Sequence, residues 1–211
     1  MNLVDMRAIV RRDLHDEDAN NYRWTNDELD RHISHAVKDY SEAIPYEQKA
    51  IKATTAGARE IDVSSLSDRI MIEAVEYPTG NFPKRYQRFS LWSDTITLLG
   101  EEIPNGANAC IYYGQMHILN VSTSTIAARH EDLITTSACG FAAVEWAVYA
   151  INRVNTGGGG TAGELLSWGK EKLDFFHLEL RRLGRKNRVR VRSLYRPFPR
   201  TVSKSTDYGP A

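Results

Sequence analysis

The sequence predicts an α+β chain: a four-helix core, two helices from each end of the chain, with an inserted antiparallel β-module and an extended basic C-terminal arm. Three observations predict it. Apolar residues recur at helical spacing before Pro45 and again after about Arg129. Between them the apolar period falls to two, broken by turn-forming residues. Past Gly184 the helical period is lost among arginines. The expected boundaries are 1–45 and 128–186 for the two parts of the helical core, 46–127 for the β-insertion and 187–211 for the arm.

From Asn2 onward, Leu3, Met6, Ile9, Val10 and Leu14 fall at helical spacing, and the acidic stretch His15 to Tyr22 reads as a loop. Thr25-Asn26-Asp27-Glu28 is a capping box, in which the Thr hydroxyl and the Glu carboxylate satisfy each other's orphan amides. Trp24 and Leu29 stand where a hydrophobic staple would close around it. Leu29, Ile33, Val37, Tyr40 and Ile44 then form a stripe ending near Pro45. In the β-module the pairs Ile61/Val63, Ile70/Ile72, Phe89/Leu91, Ile96/Leu98 and Ile111/Tyr113 alternate. Turns are expected at Ala56-Gly57, Pro78 to Asn81, Ser93-Asp94 and Pro104 to Gly106, dividing the module into about five or six strands. Crossover helices are too few for an α/β fold.

Leu133 to Ile151 is apolar nearly all round, which predicts a helix surrounded by other helices. Glu145 together with Thr135, Thr136 and Ser137 favours that over a membrane span. Gly157 to Gly160 interrupts the pattern. Thr161-Ala162-Gly163-Glu164 is a second capping box, followed by a heptad-like seam of Leu166, Leu173, Phe176, Leu180 and Leu183. The last two helices should form an antiparallel hairpin. Trp24, Leu29, Phe141, Trp146 and Phe176 are the expected packing residues of the helical core.

The 211 residues carry 27 bases and 27 acids, yet the zero balance hides an asymmetry. Arg181 to Arg200 holds nine bases and no acid, whereas Met1 to Leu180 holds 17 bases against 26 acids. Val189, Val191, Leu194 and Tyr195 alternate loosely with arginines, and Pro197-Phe198-Pro199 forbids helix. The arm is therefore expected to be extended and to meet an acidic partner, protein or nucleic acid. Its candidate docking residues are Arg188, Arg190, Arg192, Tyr195, Arg196 and Phe198.

No constellation in the sequence points to catalysis, a cofactor or a metal. Gly158-x-Gly160-x-x-Gly163 matches the dinucleotide fingerprint in letters, but a helical pattern precedes it where the fingerprint needs a strand. His32 and His35 stand at i, i+3 without a third ligand at recognisable spacing. Glu145, with no partner base or nucleophile in its pattern, is expected in a buried ion pair with an arginine. Cys110 and Cys139 sit in apolar surroundings and read as buried thiols, with no signal peptide expected ahead of them.

Arg23-Trp24-Thr25-Asn26-Asp27-Glu28-Leu29-Asp30-Arg31 resembles the N-terminal signature of tailed-bacteriophage head-to-tail adaptor (connector) proteins. Arg69 to Pro78 is similar to that family's first β-strand. Tyr112-Tyr113-Gly114 through His117 and Leu119, Ser124-Thr125-Ile126, and Glu131 to Ile134 are similar to its last strand and the lead-in to its third helix. The small-residue run Ala138 to Ala143 fits as well. The resemblance covers most of residues 1–186 and points to the larger, β-containing type. Related chains often carry proline near Ile126-Ala127, which is absent here.

The resemblance implies a structural virion protein without enzymatic activity. It implies a homo-oligomeric ring, usually of twelve copies, that joins the portal protein to a tail or nozzle protein and lets DNA pass through its bore without sequence-specific binding. It places the chain in the virion neck, with no membrane role, and assigns the arm to the portal. Two other readings remain at this point: a tail-completion or neck protein of the same region, and a DNA-binding protein using the basic arm.

Overall fold

The computed structural model describes residues 1–150 and 161–194. They form an α+β fold with two compact units, one helical, Met1–Tyr46 with Gln115–Arg188, and one of β-strands over Glu47–Gly114 that also takes in residues 189–194.

In the helical unit, α1 (Leu3–Asp13) starts from an Asn2/Asp5 capping box that the sequence reading did not single out. It buries Met6 and Val10 completely. The following loop is held by Arg11, which is buried and donates to Asp16 at 2.6 Å and to the Trp24 carbonyl and Asn26 Oδ1 at 2.9 Å. α2 (Asn26–Ala43) begins as expected: the Thr25 amide donates to Glu28 at 2.7 Å and the Glu28 amide to Thr25 Oγ1 at 3.2 Å. Leu29, Ile33, Ala36, Val37 and Tyr40 are the buried stripe behind it.

A 3₁₀ turn (Ala128–His130) leads into α3 (Glu131–Ala150). The buried residues of α3, among them Ile134, Ala138, Cys139, Ala142, Ala143 and Ala147, lie on more than one face, as expected of a helix packed against several others. Among the described residues, the span 128–150 is the one helix long and apolar enough to cross a membrane, and half of it is buried within the protein. The second capping box is present, with the Thr161 amide 2.6 Å from Glu164 Oε2, and α4 (Ala162–Leu194) follows it. Trp24, Leu29, Val37, Tyr40, Ile134, Cys139, Phe176 and Leu180 share one buried cluster.

The β-unit contains seven strands: β1 (Tyr46–Ala53), β2 (Glu60–Asp62), β3 (Arg69–Glu76), β4 (Tyr86–Gln87), β5 (Phe89–Trp92), β6 (Thr95–Leu98) and β7 (Asn108–Gln115). They make two sheets, in the orders β1-β7-β3-β4 and β2-β6-β5. Ile61, Val63, Val75, Tyr77, Ile96, Leu98, Ala109 and Ile111 form the core of the unit. Each of the five expected alternating pairs falls in or beside a strand. β1 was not expected, because none of its residues is buried and its pattern is therefore not apolar.

Two expectations are corrected. The insertion ends at Gly114, not at residue 127, because 115–127 belongs to the helical unit. Within that segment the His117 amide donates to Ser41 Oγ at 3.0 Å, the Asn120 carbonyl accepts from Leu3 at 3.0 Å, and Ile126 joins the helical core. The second correction concerns the arm: residues 187–194 are the end of α4 and are not extended.

Candidate functional site

Apart from Gly184, nothing in the sequence from Arg181 to Leu194 stops a helix. Its arginines, lysine and leucines are good helix formers, proline first appears at 197, and cations are favoured at the C-terminal end of a helix dipole. Gly184 read as a stop, but it is buried within α4 because the chain comes close to α2 there. A β-carbon on Gly184 would stand 3.4 Å from the Ala43 carbonyl oxygen. The spacing of Arg181, Arg185 and Arg188 is i, i+4, i+7, so the helix gathers these three on one face.

That face borders a cleft of about 670 Å³. Arg181, Arg185 and Arg188 form one side, Asp39 and Glu42 of α2 supply carboxylates, and Ala43, Leu180 and Gly184 line it with small or apolar groups. Asp174 and His177 complete it, with His177 Nε2 3.9 Å from Asp39. Arg181 donates to the His177 carbonyl at 3.3 Å. Among the described residues Arg185 and Arg188 have no ion pair and remain exposed. The cleft can therefore take an acidic side chain or carboxylate on its basic side and a cation on its acidic side.

Of the docking residues expected from sequence, Arg188 lies in this cleft, and Arg190 and Arg192 lie on α4 beyond it. Tyr195, Arg196 and Phe198 fall outside the described residues. Arg181, Arg185, Asp39 and Glu42 were missed. Their signal was the i, i+4, i+7 spacing, legible only if the helix is carried past Gly184.

No protein-family model and no curated protein matches this chain.

The other expected packing residues separate by depth. Trp24, Leu29 and Phe176 are buried, whereas Phe141 and Trp146 are half-buried at the rim. Trp146 packs against Trp24 with ring centroids 5.6 Å apart, and the Arg23 guanidinium lies 5.1 Å from the Trp146 ring. Phe141 is bracketed by His32, stacked at 6.5 Å, and His35, edge-on at 5.5 Å.

Glu145 does have a partner histidine, which corrects the sequence reading. His32 Nε2 stands 2.6 Å from its Oε2, and Arg31 bonds its other oxygen. The pair with Arg31 is half-exposed and not buried, since the Arg31 and Glu145 side chains are 56% and 42% accessible. Burial holds the His32 imidazole below its ordinary pKa despite the opposing pull of Glu145. The two contacts tie α2 to α3.

A second cleft, about 450 Å³, lies between α1, α3 and α4 and includes Arg12, His15, Cys139, Trp168 and Lys172. Burial pushes the Cys139 thiol up to about 12, which leaves it un-ionised and unreactive at neutral pH. Both cysteines are free and buried, as the sequence predicts. Among the described residues no group of three or more His, Cys, Asp or Glu side chains could hold a metal ion. Gly158 and Gly160 of the fingerprint lookalike lie outside the described residues, between α3 and α4.

Proposed function

We propose that this chain is a structural adaptor, a subunit of a ring that joins the portal of a tailed phage head to its tail and lets DNA pass. The observation that carries the reading is the basic face of α4 at Arg181, Arg185 and Arg188, which stands exposed on an otherwise acidic chain. Such a face recognises carboxylates by paired hydrogen bonds as well as by charge. The order of the adaptor-like segments along residues 1–186 supplies the partner: the portal protein on the basic face, with a tail or nozzle protein beyond the ring. The work is binding, in which area and geometry replace catalysis.

The helical form of the basic segment favours one second reading. Seven bases over 181–192 on one helix, with no acid, could also meet a nucleic-acid backbone. Asp39, Glu42 and Asp174 beside that face oppose a phosphate backbone and favour a protein partner. Two measurements separate the readings. The adaptor reading expects the chain to cap purified portal particles in electron micrographs and to bind duplex DNA weakly. Tight DNA binding that falls steeply with salt, with no portal binding, selects the other reading.

A further inference from the structure

Among the described residues the three-stranded sheet β2-β6-β5 has two open edges, and their backbone groups fit each other. On the β5 side, the Leu99 amide donates to the Arg88 carbonyl at 2.8 Å. Bonded pairs alternate along an antiparallel ladder, so Ser90·Thr97 and Trp92·Thr95 are the next ones. The N–H and C=O groups of Phe89 and Leu91 therefore face outward. On the β2 side, the Leu98 amide donates to Arg59 and the Val63 amide to Asp94, each at 2.9 Å. Ile61·Ile96 is the bonded pair between them, and the backbone groups of Glu60 and Asp62 face outward.

The side chains repeat this fit. Cross-strand partners share a face, so Ile61, Ile96 and Leu91 form one row on the core side. The row starts fully covered at Ile61 and Ile96 but ends at the β5 edge with Leu91 40% exposed. Trp92, on the outer face of the same edge, is 85% exposed. Arg88 enters that edge exposed and without an ion pair among the described residues, while Glu60 and Asp62 stand exposed at the other.

We propose that a second copy of this chain adds its β2 edge to β5, in parallel, with its Ile61 beside Leu91. β2 and β5 run the same way within one sheet, since both are antiparallel to β6. A neighbour related by rotation about a ring axis keeps that sense. In this register the Leu91 amide donates to Glu60 of the second copy, whose Asp62 and Glu60 amides donate to the Leu91 and Phe89 carbonyls. Leu91 gains an apolar neighbour, and Arg88 comes diagonal to Glu60. The contact is head-to-tail, leaves one edge free at each end and closes only as a ring. Closure rests on the adaptor reading; the edge contact itself does not.

The test is oxidative cross-linking of full chains, with and without portal, up to the highest soluble concentration. Copies bearing Glu60→Cys mixed with copies bearing Ser90→Cys should give a disulfide-linked dimer, and neither variant alone should. The pair Asp62→Cys and Trp92→Cys should behave the same way. In that second pair Arg88→Glu should lower the yield several-fold, and Glu60→Arg on the other copy should restore it. A 90–90 cross-link, or no 60–90 cross-link under either condition, overturns the edge contact and leaves docking by α4 standing. Cross-linked open chains that never close or cap a portal overturn the ring instead and leave the edge contact standing.

Discussion

Gly140 of α3 and Gly169 of α4 face each other so closely that a β-carbon on either would stand 3.0 Å from the other's carbonyl oxygen. The two helices can pack at this separation only because neither residue has a side chain. Gly140 is tighter still, with Leu173 Cγ 2.9 Å from the same virtual atom.

Alanine at either position gains helix propensity worth about 1 kcal/mol but forces backbone atoms apart, at about 1–3 kcal/mol. The backbone cannot yield as a flexible side chain would, so the second effect wins. Gly140→Ala and Gly169→Ala should each lower the urea midpoint with an unchanged slope.

Gly184→Ala should do the opposite. Its nearest neighbour, at 3.4 Å, leaves room for a methyl group, so the propensity gain of up to about 1 kcal/mol survives. A lower urea midpoint in this variant would contradict the continuous helix through residue 184.

That contrast also shows where the sequence was legible. The capping boxes at Thr25 and Thr161 and the turns at Ser93 and Gly106, with φ of 51° and 92°, are local chemistry, and all are read directly from the residues. Gly184 could mean a helix end or a close helix contact; only the position of Ala43 decides between them. β1 carries no apolar alternation because it is a half-exposed edge strand. Glu145 was expected to be deeply buried because its neighbours in sequence are apolar, yet it sits on the open side of α3 beside Arg31 and His32, 113 or more residues away in the chain. The cleft at Arg181 was hidden by the same error that ended the helix at Gly184.

Glu145→Gln should cost less than about 1 kcal/mol, because its pair with Arg31 is half-exposed. The buried pair expected from sequence would cost about 3–5 kcal/mol when broken. Chemical denaturation at neutral pH distinguishes the two.

Stability should fall as the pH drops below 6.5. Burial lowers the pKa of His32, His117 and His130 from the ordinary value of 6.5. The unfolded chain then binds protons that the folded chain refuses, so stability is full above 6.5 and lost progressively as the pH falls toward the lowered values. His117 lies among Tyr40, Tyr46, Thr125 and the Ile44 carbonyl, 3.0 Å from the last two. Denaturation midpoints of His117→Gln between pH 7 and 5 should show a shallower fall than those of the unaltered chain. An identical slope would remove His117 from the account.

Docking through the basic face of α4 is tested most directly by portal binding of the full chain carrying Arg181→Glu, Arg185→Glu and Arg188→Glu. All three side chains are exposed, so the variant should keep its fold, checked by its denaturation midpoint. The unaltered chain should cap purified portal particles in electron micrographs, and the folded variant should not. Equal capping by both, or capping by neither, would contradict docking through this face.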